Sequence, residues 1–295
     1  MNFTKYCRIT MLNNPLVTIS IPTFNSEKTL GLCLDAVLKQ TYGNFEVNVI
    51  DGNSKDKTIL IAKEKGVKDI AVYSGALLGA RLEGLKMARG EYVLLLDSDQ
   101  ILNKDAIKQA VEKIEQGFDM LIFEETSCQS KTFIEKLFRL DRKLIHKSKN
   151  LDPGTGALLP RFFKKDLLEK AFTRIPEEIL QKVGGEDHMI IYYEAWQLSK
   201  KISILPNAVC HIEPKSLKQV IKSSYRWGYS RQAADSGRYK KLLSREGKRL
   251  KMSLFTEGTI KEKLASLTLL VIRGIPGELG FYKAKLDQWL KKSRS

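Results

Sequence analysis

The sequence has few cysteines, and none of them form a closely spaced pair. Cys7, Cys33, Cys128 and Cys210 are spread over 295 residues without a Cys-x-x-Cys motif. Such spacing is not typical of a zinc site or of the disulfide framework of a small secreted domain. It predicts reduced, mostly buried thiols and a cytoplasmic protein.

Two common nucleotide-binding signatures are also missing. No glycine-rich dinucleotide fingerprint follows the first predicted strand, and no P-loop lysine motif occurs anywhere in the chain. The missing motifs argue against a Rossmann dehydrogenase and a P-loop NTPase, whereas another kind of nucleotide-binding α/β sheet remains compatible with the sequence.

Long apolar runs are absent as well. The longest, LASLTLLVIRGI at 264–275, contains Arg273 and is 12 residues long, whereas a membrane-spanning helix needs about 20. The first 12 residues contain no apolar run of signal-peptide length. We therefore expect neither a signal peptide nor a membrane-spanning segment. A content of 43% hydrophobic and 28% charged residues indicates a folded globular chain.

Positive charge is abundant but unevenly distributed. The chain carries a net charge of +16, yet residues 1–130 have a net charge of −2 and residues 150–212 are neutral. The excess lies at 131–149 (+5), 213–251 (+9) and 252–295 (+4). We expect a neutral chemical site and a separate basic surface.

Strand-like and helix-like patterns alternate in the first 130 residues. Short β-branched runs at 17–24, 45–52 and 91–99 are separated by helical patterns at 27–40, 58–65 and 80–88. This alternation predicts an α/β fold with a mainly parallel sheet flanked by helices. Ligands of such sheets bind at the carboxyl ends of the strands. After residue 130 we expect basic amphipathic helices at 132–147 and 216–233, and a strand at 202–212.

Acidic residues follow several of these predicted elements. Asp97 and Asp99 end an apolar run, and two carboxylates spaced in this way can hold Mg²⁺ or Mn²⁺ or can cap the next helix. Asp51 can accept from a nucleotide base or form an Asx-turn. Glu186 and Asp187 follow two glycines and can supply a general base or cap a helix.

Taken in order, four motifs resemble the family-two inverting glycosyltransferases of GT-A fold. They are PTFNSEKTLGLCLDAVLKQTY, VIDGNSKDKT, GALLGARLEGLKMARGEYVLLLDSDQ and GGEDHMI. The resemblance covers residues 16 to about 212. It implies a Rossmann-like nucleotide-sugar-binding domain, a divalent metal (Mn²⁺ or Mg²⁺) and single-displacement inversion at the anomeric carbon of the sugar.

The resemblance also assigns roles and domain bounds. The resemblance divides its domain into a nucleotide-sugar-binding half (15–130) and an acceptor-binding half (131–212), flanked by an expected N-terminal extension (1–14) and by the basic amphipathic helical region (213–295). It makes Asp187 the catalytic base and Glu186 its acidic neighbour. The residues that it places at the nucleotide sugar are Pro22, Thr23, Asn25, Glu27, Asp51, Arg81, Asp97 and Ser98. For the metal it implies Asp99 and Asp97, and His211 at the end of a strand is a further candidate.

Departures from the family pattern refine the expected reaction. Gly52 stands where members often have a second aspartate, which leaves the nucleotide base open. Arg226-Trp227 matches part of a Gln-x-x-Arg-Trp motif of processive members, but Ser223 replaces the glutamine. We expect a non-processive enzyme that adds one sugar to the hydroxyl of a glycan or lipid-linked acceptor. A polyprenyl-phosphate sugar synthase and a non-catalytic nucleotide-sugar or nucleic-acid binding protein are the alternatives.

The basic C-terminal segments suggest where the protein works. They combine lysine and arginine with aromatic residues such as Tyr225, Trp227 and Trp289, a composition typical of helices that lie on an anionic membrane surface. We expect a peripheral protein at the inner face of the cell membrane that binds no nucleic acid. A helical subdomain that only packs on the sheet is the alternative.

Overall fold

The computed structural model describes residues 14–148, 150–155, 158–235, 237–243 and 258–293. The predicted N-terminal extension, Cys7 and residues 244–257 of the basic region lie outside the described residues, apart from Asn14.

Eight strands form a single sheet in the described part of the chain. Their bounds are β1 (Val17–Thr23), β2 (Phe45–Asp51), β3 (Asp69–Val72), β4 (Tyr92–Leu95), β5 (Gln100–Leu102), β6 (Met120–Ser127), β7 (Pro160–Lys164) and β8 (Ile202–His211). The order across the sheet is β3-β2-β1-β4-β7-β6-β8-β5. Strands β3, β2, β1 and β4 are parallel neighbours, whereas β7 runs antiparallel to both β4 and β6. The predicted α/β class is confirmed, with a parallel first half and a mixed second half.

Helices cover both faces of this sheet. Their bounds are α1 (Leu30–Leu38), α2 (Thr58–Glu64), α3 (Leu77–Met87), α4 (Ala106–Glu115), α5 (Phe133–Lys147), α6 (Lys165–Phe172), α7 (Glu177–Lys182), α8 (Asp187–Leu198), α9 (Leu217–Arg231), α10 (Gly237–Leu243) and α11 (Ile260–Lys292), with 3₁₀ turns at Pro153–Thr155 and Gln232–Ala234. Successive strand residues point to opposite faces. Phe162 accordingly packs with α1 and α4, whereas Phe163 packs with α3, α6 and α8. Two cores result, one on each face.

A third, smaller cluster joins the C-terminal helices to the body of the protein. Ile134 and Leu137 of α5 pack with Val220 of α9 and with Ala265 and Leu269 of α11. Ser216 and Thr259 form capping boxes at the first turns of α9 and α11. The region from residue 213 onward is therefore helical where it is described, as predicted.

Helix α11 overturns the length argument against a membrane span. It runs for 33 residues through Pro276, and an 18-residue window within it has a mean hydropathy of 1.4. By length and composition alone it qualifies as a candidate span, and 28% of that window is buried within the protein. The expectation rested on an apolar run of 12 residues, but the helix continues well past that run.

The prediction of reduced thiols is wrong for one pair of cysteines. Cys128 and Cys210 form a disulfide across 82 residues of sequence. Their strands explain the contact, because β6 and β8 are parallel neighbours and Thr126 pairs in register with Cys210. Cys33 is a free, buried thiol as predicted.

Candidate active site

Loops at the carboxyl ends of β1, β2 and β4 are joined by hydrogen bonds. Asn25 follows β1 in a left-handed conformation with a φ of 50°, which asparagine adopts more readily than most residues. Its N–H donates to Ser54 Oγ at 2.8 Å, and its side-chain oxygen accepts from the Lys55 N–H at 2.9 Å. Ser98, after β4, donates to Ser26 Oγ at 2.9 Å. These strand-end loops form one connected surface.

Asp51 is buried and bonds mainly within these loops. Its Oδ1 accepts from Thr23 Oγ1 at 2.8 Å and from Ser54 Oγ at 2.6 Å, and its Oδ2 accepts from the Ser54 N–H at 2.7 Å. This arrangement favours the Asx-turn alternative for the resting protein. Because Oδ2 accepts a single hydrogen bond, it retains capacity for a second donor.

The two remaining predicted residues of the first motif have structural partners. Pro22 is buried within β1 opposite Ile50 of β2. The Glu27 carboxylate accepts from the Lys57 N–H at 3.3 Å, and the Glu27 N–H donates to Asp56 at 3.1 Å. Glu27 therefore helps to hold the strand-end loops together, whereas Pro22 belongs to the strand itself.

Arg81 lies at the centre of the candidate site. Helix α3 places it beneath the end of β4, where it is 1% exposed. Its Nη2 lies 2.5 Å from Asp97 Oδ1, and its Nε donates to Asp187 at the first position of α8. A buried guanidinium is costly unless carboxylates compensate its charge, and here two do. Arg81 thus joins Asp97 of its own motif to Asp187 of the last motif.

Arg161 of β7 extends this cluster. Its Nη1 lies 2.7 Å from Asp97 Oδ2 and contacts His188 Nε2, and its Nη2 lies 3.0 Å from Glu125 Oε1. Asp97 is thereby held between two arginines. Strand β4 ends at Leu95, so Asp97 and Asp99 lie in the turn that follows it. Their carboxylates face different partners and do not point the same way.

The cluster continues to Asp99 through a third arginine. Arg142 of α5 pairs with Glu125 and lies 2.5 Å from Glu213 Oε1. His211 has its Nδ1 3.6 Å from Glu213 Oε2 and its Nε2 3.4 Å from Asp99 Oδ1. We call the whole series the ion-pair chain. Its members are Asp187, Arg81, Asp97, His188, Arg161, Glu125, Arg142, Glu213, His211 and Asp99.

Neighbouring charges in the ion-pair chain shift one another's pKa values. Burial opposes ionisation of Asp97, but Arg161 and Arg81 hold its pKa well below the ordinary value. Burial likewise opposes ionisation of Glu125, and Arg142 with Arg161 nevertheless lowers its pKa to about 2. Burial, Arg161 and Arg81 lower the pKa of His188 to about 4. With all five carboxylates ionised and both histidines neutral, the three guanidiniums leave two negative charges, and burial raises the pKa of Asp99, the most exposed of these carboxylates.

Half of the members of the ion-pair chain were not predicted from the sequence. Glu125, Arg142, Arg161, His188 and Glu213 are the members that were missed. The one available signal is Arg161, a charged residue between Pro160 and Phe162 in an apolar strand.

Helix α9 packs on the loop that precedes Asp187. The Gly184 N–H donates to Ser230 Oγ at 3.3 Å, and a Cβ on Gly185 would lie 2.6 Å from Trp227 Cβ. The glycine pair therefore accommodates helix α9. Arg226, one residue before Trp227, lies 5.9 Å from the ring centre of Phe24 in the strand-end loops. The C-terminal region thus contacts both sides of the candidate site.

Comparison with known proteins identifies the family. Residues 18–172 match the model of glycosyl transferase family 2. The poly(ribitol-phosphate) beta-N-acetylglucosaminyltransferase TarS of Staphylococcus aureus (strain MW2) is 26% identical over 225 residues, covering 70% of this chain and 37% of TarS. The Escherichia coli UDP-Glc:alpha-D-GlcNAc-diphosphoundecaprenol beta-1,3-glucosyltransferase WfgD is 37% identical over 94 residues, 30% of this chain and 37% of WfgD. The chain therefore spans little more than a third of the length of these relatives.

Solved structures share the fold. S. aureus TarS 1–349 in complex with UDP-GlcNAc gives a TM-score of 0.55 at 20% identity, covering 86% of this chain and 79% of that one. The mannosyltransferase PcManGT from Pyrobaculum calidifontis, in complex with GDP-Man and Mn²⁺, gives 0.55 at 18% identity, covering 96% and 82%. With a family match over more than half of its length, the chain belongs to glycosyl transferase family 2.

Proposed function

We propose that this protein transfers one sugar from a nucleotide-sugar donor to an acceptor hydroxyl by metal-dependent single displacement with inversion. The observation that carries the proposal is the convergence of Arg81 from α3, Asp97 from the turn after β4 and Asp187 from α8 at the carboxyl edge of the sheet. The nucleotide sugars bound in TarS and PcManGT support the donor class.

The donor occupies the strand-end loops. Asn25, Thr23 and Asp51 line the nucleoside side, and Ser98 lies on the side toward the ion-pair chain. Asp51 contacts the base through Oδ2. Because its side chain is fully buried, that contact requires the segment 52–54 to move. The nature of the base is left open.

A divalent cation fits the far end of the ion-pair chain. The Asp99 side chain is 40% exposed, more than any other member of the ion-pair chain, and it lies next to the imidazole of His211. Carboxylate and imidazole are ligands that Mn²⁺ accepts, and Mg²⁺ binds through one or two carboxylates with substrate phosphates. The two uncompensated negative charges also suit a divalent cation. Asp99 and His211 would hold it, with Asp97 beside them, and the cation supplies charge neutralisation for the leaving diphosphate.

Residues of the protein itself carry out the sugar transfer. Asp187, with Glu186 beside it, accepts the proton of the acceptor hydroxyl as that oxygen bonds to the anomeric carbon. The bond from that carbon to the diphosphate breaks on the opposite side, and the electron pair leaves with the nucleoside diphosphate. Arg81 stabilises this developing charge. Because Arg81 is paired with Asp187 beforehand, approach of the diphosphate to Arg81 also frees the Asp187 carboxylate to act as a base.

Acceptor identity is suggested by the relatives. The names of TarS and WfgD specify acceptors that carry phosphate, a poly(ribitol phosphate) and a diphosphoundecaprenol-linked sugar. A glycan or lipid-linked saccharide that offers a hydroxyl is therefore the acceptor class we favour. The need for a base at Asp187 disfavours a polyprenyl phosphate, which is already ionised.

Turnover of a nucleotide-sugar panel tests the proposal. UDP-Glc, UDP-GlcNAc and GDP-Man are incubated with Mn²⁺, and release of the nucleoside diphosphate is measured. Asp99→Ala and Asp187→Asn are expected to reduce turnover at least 100-fold, in line with the loss of a general base or a metal ligand. Asp166→Asn, at an exposed position on α6, is the matched control. Equal turnover in all four proteins would refute the assignment.

The face of α11 turned away from the protein suits a membrane surface. Exposed apolar side chains recur there every three or four residues, at Ile260, Leu264, Leu267, Val271, Ile275, Leu279, Tyr282, Leu286 and Trp289. Helix α9 adds Leu217, Ile221, Tyr225 and Tyr229 at a spacing of four. This surface, the apolar ridge, is accompanied by lysines such as Lys218 and Lys222, which favour anionic lipid.

Packing favours a helix that lies on the membrane over one that spans it. The opposite face of α11 is held against α5 by Ala265 and Leu269. It also approaches α9 so closely that a Cβ on Gly228 would lie 1.8 Å from the Gly277 carbonyl oxygen. With one face committed to the protein, α11 docks in the interface plane. We therefore propose that the protein is peripheral at the cell membrane and does not span it.

Vesicle sedimentation over a salt series tests this location. The wild type is expected to bind phosphatidylglycerol vesicles, and Val271→Glu/Leu279→Glu is expected to abolish binding. Leu60→Glu/Val72→Glu changes two apolar residues of similar exposure, on α2 and on the edge strand β3, and serves as the control. Tight DNA binding without vesicle binding would overturn the membrane assignment and the expectation that nucleic acid is not a partner.

A further inference from the structure

A cavity of about 820 Å³ lies beside the ion-pair chain. It is bounded by the end of β6 and the loop that follows, by α5 and by the first turn of α11. Five cationic side chains line it, and we call it the basic cavity. They are Lys131, Arg139, Arg142, Lys143 and Lys147.

Only part of this positive charge is compensated. Arg142 pairs with Glu125, and Lys147 Nζ lies 2.7 Å from Glu262 Oε2. Within the described residues, Lys131, Arg139 and Lys143 have no carboxylate within 4.0 Å and are exposed. Of the acidic groups that line the cavity, only Glu124 remains to offset these three cations. The cavity therefore carries a positive surplus at its rim.

The inner wall of the cavity belongs to the ion-pair chain. Glu125 lines the cavity and lies 3.0 Å from Arg161, which holds Asp97. Arg142 lines it too and connects through Glu213 to His211. Glu125 and Arg142 therefore connect the cavity through ion pairs to Asp97 on one side and to His211 on the other.

The lining also limits the class of ligand. It includes the hydroxyls of Ser127 and Ser130 and the amide of Gln129, which suit the hydroxyl-rich surface of a sugar chain. Tyrosine, tryptophan and phenylalanine are absent from the lining among the described residues. Single-stranded nucleic acid and nucleosides depend on such rings for stacking. The volume exceeds that of a single phosphate and suits a phosphorylated saccharide unit.

We propose that the basic cavity binds the phosphate group of an anionic saccharide acceptor and thereby positions its hydroxyl beside Asp187 and Asp99. This inference rests on the proposed transferase function and adds the chemical class of the acceptor. Arg139 and Lys143 bind the phosphate group, and the exposed Lys131 adds a third positive charge.

Calorimetric titration with inorganic pyrophosphate tests the anion site. EDTA is present, so that no divalent cation recruits the probe to the donor site. The wild type is expected to bind, and Arg139→Gln/Lys143→Gln is expected to bind about 10-fold more weakly, since two ion pairs are lost. Lys63→Gln/Lys68→Gln removes the same charge from exposed positions at the β2–β3 edge of the sheet and should bind as the wild type does. No binding by the wild type, or equal weakening in both variants, would overturn the proposal.

Two further measurements are made. The first distinguishes a saccharide phosphate from a lipid headgroup as the ligand, and the second distinguishes failure of the anion site from failure of the proposed transferase function. Phosphatidylglycerol vesicle binding should be the same in both double variants. If only the cavity variant lost it, the cavity would be a lipid headgroup site and not an acceptor site. Binding of UDP-GlcNAc, UDP-Glc and GDP-Man with Mn²⁺ is measured in parallel. Cavity-dependent pyrophosphate binding without any donor binding would refute the transferase function while the anion site stands.

Discussion

Mild acid should destabilise the protein through one buried histidine. His188 is 6% exposed, and burial with the Arg161 and Arg81 cations lowers its pKa to about 4 from an ordinary 6.5. The unfolded chain therefore binds a proton at this residue below pH 6.5, whereas the folded protein does so only near pH 4. Stability is fully present above pH 6.5 and falls with pH through that window. Linkage gives a loss of about 2 kcal/mol between pH 7 and pH 5.

Urea unfolding at a series of pH values measures this effect. Tryptophan fluorescence follows the transition, and EDTA keeps divalent cations away from the adjacent carboxylates. His188→Gln is the informative variant, because the amide oxygen can still accept from Arg161 but does not titrate in this range. The variant should lose most of the pH dependence between pH 7 and pH 5. An identical slope in wild type and variant would refute the assignment of the stability loss to His188.

Three other perturbations have defined outcomes. Gly185→Ala should reduce turnover, since its Cβ would lie 2.6 Å from Trp227 Cβ and displace the loop before α8, and the added change Trp227→Ala should restore part of it; unchanged turnover in the single variant would contradict the role of this contact. Arg161→Gln removes a cation shared by the partly buried carboxylates of Asp97 and Glu125 and should lower the free energy of unfolding by about 3 kcal/mol; a loss below about 1 kcal/mol, measured by urea titration, would contradict this expectation. Cys128→Ser should cost about 4 kcal/mol under oxidising conditions, because Cys128 and Cys210 close a loop of 82 residues; a wild type whose stability did not respond to dithiothreitol would speak against the disulfide.

Local patterns predicted several of the regular elements to within a residue or two. The β-branched runs at 17–24 and 45–52 became β1 and β2 with one residue fewer each. The amphipathic pattern at 132–147 became α5, with Thr132 as its N-cap. Alternation of hydrophobic periods is a local property, so it can be recognised without knowledge of the tertiary structure.

Long-range contacts could not be predicted in the same way. The disulfide depends on β6 and β8 being neighbours, which no local signal specifies. Arg161 resembles any charged residue until the sheet places it between Asp97 and Glu125. Helix α11 runs through Pro276, which would end most helices, and close packing of Gly277 against α9 accompanies this continuation.

The separation of charge along the chain proved informative in a different way. The first 130 residues are nearly neutral overall, yet they supply Arg81, Asp97 and Asp99 to a site with a local negative surplus. The basic segment 131–149 supplies Arg142 to the same chain and the cations of the basic cavity. Charge from this segment therefore belongs partly to the site and not only to a surface.

The dissociation constant of a nucleotide sugar, measured with and without Mn²⁺, tests the central claim most directly. For a donor from the turnover panel, Mn²⁺ should tighten binding by the wild type, and Asp99→Ala should remove this effect while metal-free binding is retained. The same dissociation constant with and without Mn²⁺ in the wild type, or tightening that persists in Asp99→Ala, would contradict a cation-assisted donor site at this end of the ion-pair chain.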